Sequence, residues 1–426
     1  MALEAVVLTA EVAVVGAGPA GIAATVTLAE AGRPVILIDE GVRPGGQIWR
    51  HASNQRLPRR AARWVERLDR CGATILNRAS VIDFSVGGEA RQDLLVERDG
   101  AAVVVRASKT ILATGARELF LPFPGWTLPG VVGIGGVQAL MKSGFRVAGK
   151  RVVVAGSGPL MLPVAAMLVS NGASLAMVAE QADASAVVRF VSSLWRSPAL
   201  AIAATRYRAG FSGSPYRAGT WVTRADGDQR IEEVTLTNGR RSWCVPCNLL
   251  CTGFGLVPNT ELATLCGCSI AGGAIEVDAW ERTTVSGVLA AGECAGVGGV
   301  DVAVLEGQLA SCTVTGNDGL DPVLVSRRDR LRAQARTMDA AFTLRGDVLA
   351  LADPDTIICR CEDARMRDLL PEWSARQVKL HARMGMGPCQ GRVCATALRF
   401  LRGWDTATVR APVQPAAVGT LTKEAP

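Results

Sequence analysis

Between Glu11 and Glu40 the apolar pattern changes twice, and the order of the changes predicts a nucleotide-binding unit. "EVAVVGAGPAGIAATVTLAEAGRPVILIDE" runs from an apolar strand through Gly16-Ala17-Gly18-Pro19-Ala20-Gly21 into a helix, then past Gly32 as a helix stop into a second apolar strand that ends at Asp39 and Glu40. Strand, glycines, helix, strand and acid form the dinucleotide fingerprint in its full context. Gly16 permits the tight turn, Gly18 lets the backbone approach a pyrophosphate, and Gly21 allows close packing of helix on strand. The helix start at Pro19-Ala20 supplies free amides and a positive dipole end. Asp39, at the strand end, is the favoured ribose ligand, and Glu40 reads equally well as a loop charge.

The same layout returns in "RVVVAGSGPLMLPVAAMLVSNGASLAMVAE". Gly156 and Gly158, followed by Pro159 and Leu160, fill the first positions, but Met161 replaces the third glycine, so helix and strand must sit further apart or the nucleotide must be held differently. Glu180 would accept a 2′-hydroxyl and repel a 2′-phosphate, which favours NAD or ATP over NADP. The alternative is a vestigial fold kept for architecture. Between and after these units come "TILATGARELFLPFPGW", with Ala113-Thr114-Gly115 closing a strand, then "LLCTGFGLVPNTEL" and "TTVSGVLAAGECAGVGGVDVAVLEGQLA". The whole reads as α/β with two Rossmann-like nucleotide-binding domains.

Composition narrows the classes. A chain of 426 residues is long enough for two or three domains, and its 49% apolar content with 46 glycines suits strands joined to helices by tight turns. The net charge of +7 is spread along the chain, with its densest cluster at "RRDRLRAQAR", Arg327 to Arg336. A solvated or partner-facing helix explains that cluster; no aromatic interleaving or binding motif points to nucleic acid. The N-terminus has an early acid and no basic n-region, so it does not read as a signal peptide, and a cytoplasmic location is expected. Val152 to Ala179 is uncharged but broken by glycines and prolines, which argues against a membrane span. Twelve cysteines in a reducing compartment imply metal, redox or burial roles rather than a disulfide framework. Cys244, Cys247 and Cys251 of "WCVPCNLLC" read as buried fillers before a redox dithiol, on a strand leading back towards the first domain. The two histidines, His51 and His381, lie in no triad or metal context, and no side chain is assigned as a catalytic acid or base; His51 follows "GGQIWR" and could lie near a cofactor.

The C-terminal part carries the second candidate site. "TIICRCEDARMRDLL" spaces Cys359 and Cys361 as C-x-C, and "MGPCQGRVC" spaces Cys389 and Cys394 as C-x4-C. Four thiolates in two close pairs at loop-to-helix junctions match the demand of an iron-sulfur cluster, with helix N-terminal amides and Arg360, Arg383 and Arg392 offsetting its charge. A four-cysteine zinc site and unliganded thiols are the competing readings.

In order and spacing the two fingerprints, "ATG" and "AAGE" resemble the two-dinucleotide-binding-domain flavoproteins of the glutathione and thioredoxin reductase class. No C-x-x-C stands where the disulfide reductases of that class carry theirs. The resemblance implies FAD in the first fold. Gly46 and Gln47 of "RPGGQIWR" would lie on its flavin side, Val81 would meet the adenine through its backbone, and Gly292-Glu293 would meet the ribityl chain. Glu306-Gly307 would begin a helix aimed at the isoalloxazine. "CRCED" with "GMGPCQGRVC" resembles the bacterioferritin-associated-ferredoxin type of 2Fe-2S domain. Joined behind such a flavoprotein, it is similar to the alpha-subunit family of opine oxidases, hydrogen cyanide synthase and hetero-oligomeric proline and hydroxyproline dehydrogenases. That likeness implies an electron-transfer subunit within a hetero-oligomer. Its beta partner would be of the D-amino-acid-oxidase flavoprotein type, and a further candidate partner is a small ferredoxin-like subunit. The alternatives are a stand-alone NADH-dependent reductase and a structural nucleotide-binding subunit. The expected domains are 1–117 (FAD, first part), 118–244 (second nucleotide domain), 245–315 (FAD, second part), 316–354 (helical linker), 355–405 (2Fe-2S) and 406–426 (tail).

Overall fold

A computed structural model describes residues 6–50, 57–87, 91–316, 322–404 and 409–422. His51 lies outside the described residues. The chain divides into two units, one of residues 1–117, 257–335 and 407–426, the other of residues 118–256 and 336–406.

In the first unit the apolar runs become the strands they predict. β1 (Val6–Val15) leads to α1 (Pro19–Glu30), β2 (Val35–Asp39), α2 (Arg59–Arg70), β3 (Thr74–Asn77), β4 (Ala79–Val86), β5 (Gln92–Arg98) and β6 (Ala101–Leu112). They form one sheet in the order β3-β2-β1-β6-β5-β4, to which the strand Val288–Ala290 adds along the end of β6. β1, β2, β3 and β6 pair in parallel, whereas β5 runs against β6 and β4 against β5 as an antiparallel extension of the sheet. All the parallel strands therefore end on the fingerprint side, where a ligand has its place in an open α/β sheet. Apolar side chains on both faces, from Val12 and Val14 on one to Ala13 and Val15 on the other, build two buried cores.

The second unit holds a five-stranded parallel sheet in the order Tyr216–Ala218, Ser174–Glu180, Arg151–Gly156, Leu249–Gly253, Val131–Gly133. α3 (Ile134–Lys142), α4 (Met161–Ser170), α5 (Ala184–Ser193) and α6 (Pro198–Ala209) accompany it, with an antiparallel sheet of Trp221–Asp226, Glu233–Thr237 and Ser242–Pro246. This corrects the expected end at residue 244. The strand carrying Cys251 does not lead into the first domain. It pairs with Arg151–Gly156 in the register Leu250 to Val153, because an uncharged run buried on both faces completes the second sheet.

Three further expectations shift. α7 (Glu261–Leu265) and α8 (Val300–Val314) return the chain to the first unit, and α8 starts six residues before Glu306. The tail is not a loose appendage: the Val413 amide donates to the Ile82 carbonyl on β4 at 2.9 Å, and Val413 is buried. α9 (Pro322–Ala341) contains the arginine cluster, yet Arg328 is buried and paired rather than solvated. After α10 (Gly346–Leu349), a short hairpin of Ile357–Cys359 and Ala364–Arg365, α11 (Ala375–His381) and α12 (Cys394–Arg402) form a small module with its own core of Ile358, Leu369, Val378, Met384 and Leu398. Ser374 and Gln377 cap α11 reciprocally. His381 stacks on Trp373 with ring centroids 4.9 Å apart, which places it in packing rather than chemistry. Among the described residues, no helix is long and apolar enough to cross a membrane.

Candidate functional site: an open fingerprint and two thiol pairs

The first fingerprint is built by backbone proximity. Gly16 has φ +104°, and a Cβ there would lie 2.3 Å from the Ala113 carbonyl; one on Gly21 would lie 1.7 Å from the Gly16 carbonyl. Only hydrogen fits at either position. Gly18 differs, since nothing lies within 4 Å of the Cβ it lacks. Open space thus faces the start of α1, where Pro19 and Ala20 begin the helix and its free amides. Asp39 accepts from the amides of Ala17 at 2.6 Å and Gly41 at 2.8 Å, so the acid that sequence assigns to a ribose also fixes the loop; Glu40 is exposed. Gly46 packs on the Gly18 Cα, Gln47 is exposed beside it, and the Gly45 amide donates to the Ala17 carbonyl at 2.8 Å. Val81 is buried opposite Val96 on β4, whose entry is tied to the acid's loop by the Arg78 amide donating to the Gly41 carbonyl at 3.0 Å.

Thr114 and Gly115 are held by a residue the sequence reading did not single out. Asn259 donates through Nδ2 to the Thr114 carbonyl, accepts the Thr114 hydroxyl on its own carbonyl, both at 2.8 Å, and donates its amide to Gly115 at 2.9 Å. Arg117 in turn holds the Asn259 side chain at 2.7 Å. The one available signal was the "NTEL" following "LVP", and it carries no recognisable spacing. Gly292 brings "AAGE" against Ala20 of α1, and burial pushes the Glu293 carboxyl upward, with the Gly299 amide opposing.

Glu306 is the correction. It does not begin a helix but sits in the middle of α8, buried, accepting the Gly292 amide at 2.9 Å and the Arg332 guanidinium at 2.5 and 2.7 Å. Its neighbour Gly307 lets α8 cross α1, because a Cβ there would be 2.1 Å from the Ala20 carbonyl. Residues Val300 to Val302 occupy the helix start instead. Glu281 pairs with Arg328 in the same way at 2.5 Å, and burial raises both carboxyls while the two arginines oppose it. Removing one partner of such a pair leaves an uncompensated buried charge. Arg332→Ala is therefore expected to destabilise the chain by about 3–5 kcal/mol. Denaturant midpoints for the variant and for Glu306→Gln/Arg332→Ala, which recovers much of the loss, check this.

At the second fingerprint Met161 is fully buried against Ile134, Val154 and Val164, filling the place of the third glycine. Glu180 is turned inward and completely buried, accepting from the amides of Gly158 and Ala182 at 2.8 Å each and from the Tyr216 hydroxyl. Burial pushes its carboxyl up to about 7, against those hydrogen bonds. The folded chain then holds this proton more tightly than the unfolded one. The corresponding stability is full below about pH 4.5 and lost as pH rises through 7. Glu180→Gln removes the titrating group and with it that dependence, but its NH2 faces the Gly158 or Ala182 amide, donor against donor, so its stability should lie below wild type at pH 5 and no longer fall between pH 5 and pH 8. Urea unfolding at pH 5 and pH 8 reads it. Pro159 and Leu160 lead into α4, with Leu160 exposed.

The four C-terminal cysteines come together, and they pair across the two motifs. Cys361 interacts with Cys389, whose amide also donates to its sulfur; Cys394 interacts with Cys359 and receives the Ala395 amide. Among the described residues no three His, Cys, Asp or Glu side chains gather closely enough to hold a single metal ion. Cys359 and Cys394 are buried, Cys361 is exposed, and Cys389 lies between. Gly387 packs on Cys361, where a Cβ would be 2.2 Å from the cysteine's own. Of the expected counter-charges, Arg383 pairs with Glu362 at 2.9 Å and Arg360 stacks over Trp126 at 5.3 Å, while Arg392 turns back to the Cys389 carbonyl at 3.4 Å. Of the three cysteines expected as buried fillers, Cys247 and Cys251 are buried, whereas Cys244 is exposed on its strand. Burial raises the Cys247 and Cys294 thiols to about 11 and raises those of Cys251, Cys266 and Cys268; it raises Cys394 as well, so what sets the four C-terminal cysteines apart is their nearness to one another.

Comparison with known proteins gives the family. The family model "Pyridine nucleotide-disulphide oxidoreductase" matches residues 10–314. The A subunit of opine oxidase from Agrobacterium tumefaciens is 31% identical over 97% of the chain and 88% of the relative. Hydrogen cyanide synthase subunit HcnB of Pseudomonas aeruginosa is 31% identical over 89% of the chain and 90% of its own length. Among solved structures, L-proline dehydrogenase from P. horikoshii has a TM-score of 0.69 at 22% identity, over 99% of this chain and 81% of that one. Thioredoxin reductase of T. acidophilum has a TM-score of 0.58 at 21% identity, over 73% and 99%. The chain therefore belongs to the pyridine nucleotide-disulphide oxidoreductase family, as a flavin-dependent oxidoreductase related to the A subunit of opine oxidase and to HcnB of hydrogen cyanide synthase.

Proposed function

We propose that this chain is the electron-transfer subunit of a hetero-oligomeric dehydrogenase or oxidase acting on the C–N bond of an amino acid, imino acid or opine, with FAD in the first fold and a 2Fe-2S cluster at Cys359, Cys361, Cys389 and Cys394. The observation that carries this reading is the double thiol pair, Cys361 with Cys389 and Cys359 with Cys394, on a chain whose flavin fold has no redox C-x-x-C. Two pairs of sulfurs suit two irons, one pair each, better than one tetrahedral ion. FAD accepts or gives electrons in pairs and a 2Fe-2S cluster one at a time, so together they join a two-electron oxidation to one-electron transfer.

The chain's own residues prepare these sites. The space at Gly18 and the amides after Pro19 receive a pyrophosphate, Asp39 keeps the loop in place, and the clasp of Asn259 on Thr114 and Gly115 fixes the adjoining wall. The amides of Cys389 and Ala395 donate to the Cys361 and Cys394 sulfurs and favour their thiolates, against burial and the neighbouring sulfurs, which raise both thiols. The relatives are named as parts of larger enzymes, which supports a partner for this chain; a substrate-oxidising flavoprotein of the D-amino-acid-oxidase type is the proposed beta subunit.

Expression with and without the neighbouring gene, followed by visible spectra after adding proline, hydroxyproline, octopine or glycine, tests the proposal. Flavin and cluster bleaching should occur only in the co-expressed sample. Substrate oxidation by the isolated chain would contradict it.

A further inference from the structure

The two fingerprints differ most where their ligands would sit. At Gly18 the space beside the backbone is open, while at Gly158, its counterpart, the Phe342 side chain lies 3.8 Å from where a Cβ would be. Phe342 follows directly on α9, and its ring meets Phe190 edge-on at 5.1 Å. Its carbonyl accepts the Ser157 hydroxyl at 2.7 Å, so the middle residue of the Gly-Ser-Gly turn is engaged by the linker. The ribose side is covered as well. Gln181, next to the strand-end acid, donates to the Thr343 carbonyl at 3.1 Å and to Ser157 Oγ at 2.9 Å, and accepts the Arg345 amide at 3.1 Å. Arg345 donates to the Gln181 carbonyl at 3.2 Å, reaches Asp183 at 3.3 Å, and lies 4.2 Å over the Trp221 ring. Glu180, the acid that would bind ribose, is spent on the Gly158 and Ala182 amides.

We infer that the linker segment Phe342–Arg345 is a built-in occupant of the second nucleotide fold. Its phenyl ring takes the pyrophosphate approach at Gly158, and Thr343 to Arg345 take the ribose edge at Gln181. A dinucleotide or ATP cannot enter without displacing the segment, and its apparent affinity is lowered by the fraction of time the segment is docked. A linker docked about 99% of the time weakens the nucleotide about 100-fold. The fold is thus sealed against NADH by its own chain, and the same contacts anchor the linker that leads to the cysteine module. The inference does not depend on the electron-transfer reading, since it concerns binding alone.

The test is isothermal titration of the full chain, with FAD bound so that the first fold is filled, using NAD+ and ATP in separate experiments. Phe342→Gly/Arg345→Ala removes the ring, the Trp221 stack and the Arg345 side-chain bonds. It should bind one of the two nucleotides at least about tenfold more tightly than wild type. Phe342→Ala alone gives the same comparison should the double variant fold poorly, with circular dichroism and flavin content as the checks on folding. A folded variant with less than a tenfold gain for both nucleotides overturns the inference, however tightly the wild type binds.

Discussion

Replacing Gly18 by valine is expected to give a folded chain without flavin, whereas replacing Gly21 by alanine should leave little folded chain at all. The two glycines stand three residues apart in one motif, but they face different things. A side chain on Gly18, whose φ of −73° any residue can adopt, enters the open space kept for a pyrophosphate. A methyl group on Gly21 meets the Gly16 carbonyl at 1.7 Å, and that backbone is locked in turn against Ala113. For Gly18→Val, lost contacts to the phosphates and the helix start amount to about 3 kcal/mol, so FAD affinity should fall about a hundredfold or more. Its circular dichroism should be that of the wild-type apoprotein. For Gly21→Ala, overpacking that the backbone cannot relieve costs more than about 3 kcal/mol, and soluble yield should collapse. The ratio of absorbance at 450 and 280 nm, read beside the circular dichroism, separates the outcomes. A flavin-replete Gly18→Val chain would remove the first fold from the cofactor assignment.

Serine at any one of Cys359, Cys361, Cys389 or Cys394 should take bound iron from about two per chain to near zero and abolish the cluster's visible bands. Cys361 and Cys389 are the more informative pair. They lie towards the surface, so their serine variants lose a ligand without burying a new hydroxyl, whereas Cys359 and Cys394 belong to the small core and should also lower stability. Cys244→Ser, exposed on its strand in the second unit, serves as the control and should keep its iron. Metal analysis with electron paramagnetic resonance of the reduced protein reads all five. Stoichiometric zinc in place of iron, lost in the same four variants, would overturn the cluster and keep the site.

Much of this architecture was legible along the chain because local rules carried it. The two fingerprints and their apolar strands follow from a strand-turn-helix-strand pattern within about thirty residues, although what crowds Gly16 is Ala113, much further along the chain. The two cysteine motifs were legible as close pairs for the same reason. Their pairing was not, since Cys361 meets Cys389 and Cys359 meets Cys394 only after the hairpin folds against α12. Arg328 and Arg332 read as part of a solvated or partner-facing cluster, but their partners Glu281 and Glu306 stand 47 and 26 residues away, and nothing local announces the match. The same holds for Asn259, 145 residues from Thr114.

The sequence by itself determined the class of the protein: two nucleotide folds in α/β order, the first with a full set of glycines, followed by four cysteines in two close pairs. Those features are written in backbone chemistry, where only glycine permits the close approaches and only cysteine offers thiolates. Tertiary structure alone decided which of the two folds is open. Gly18 and Gly158 are the same residue in the same motif, and the difference between them is Phe342, brought in from 184 positions further along the chain to fill at one site the space left clear at the other.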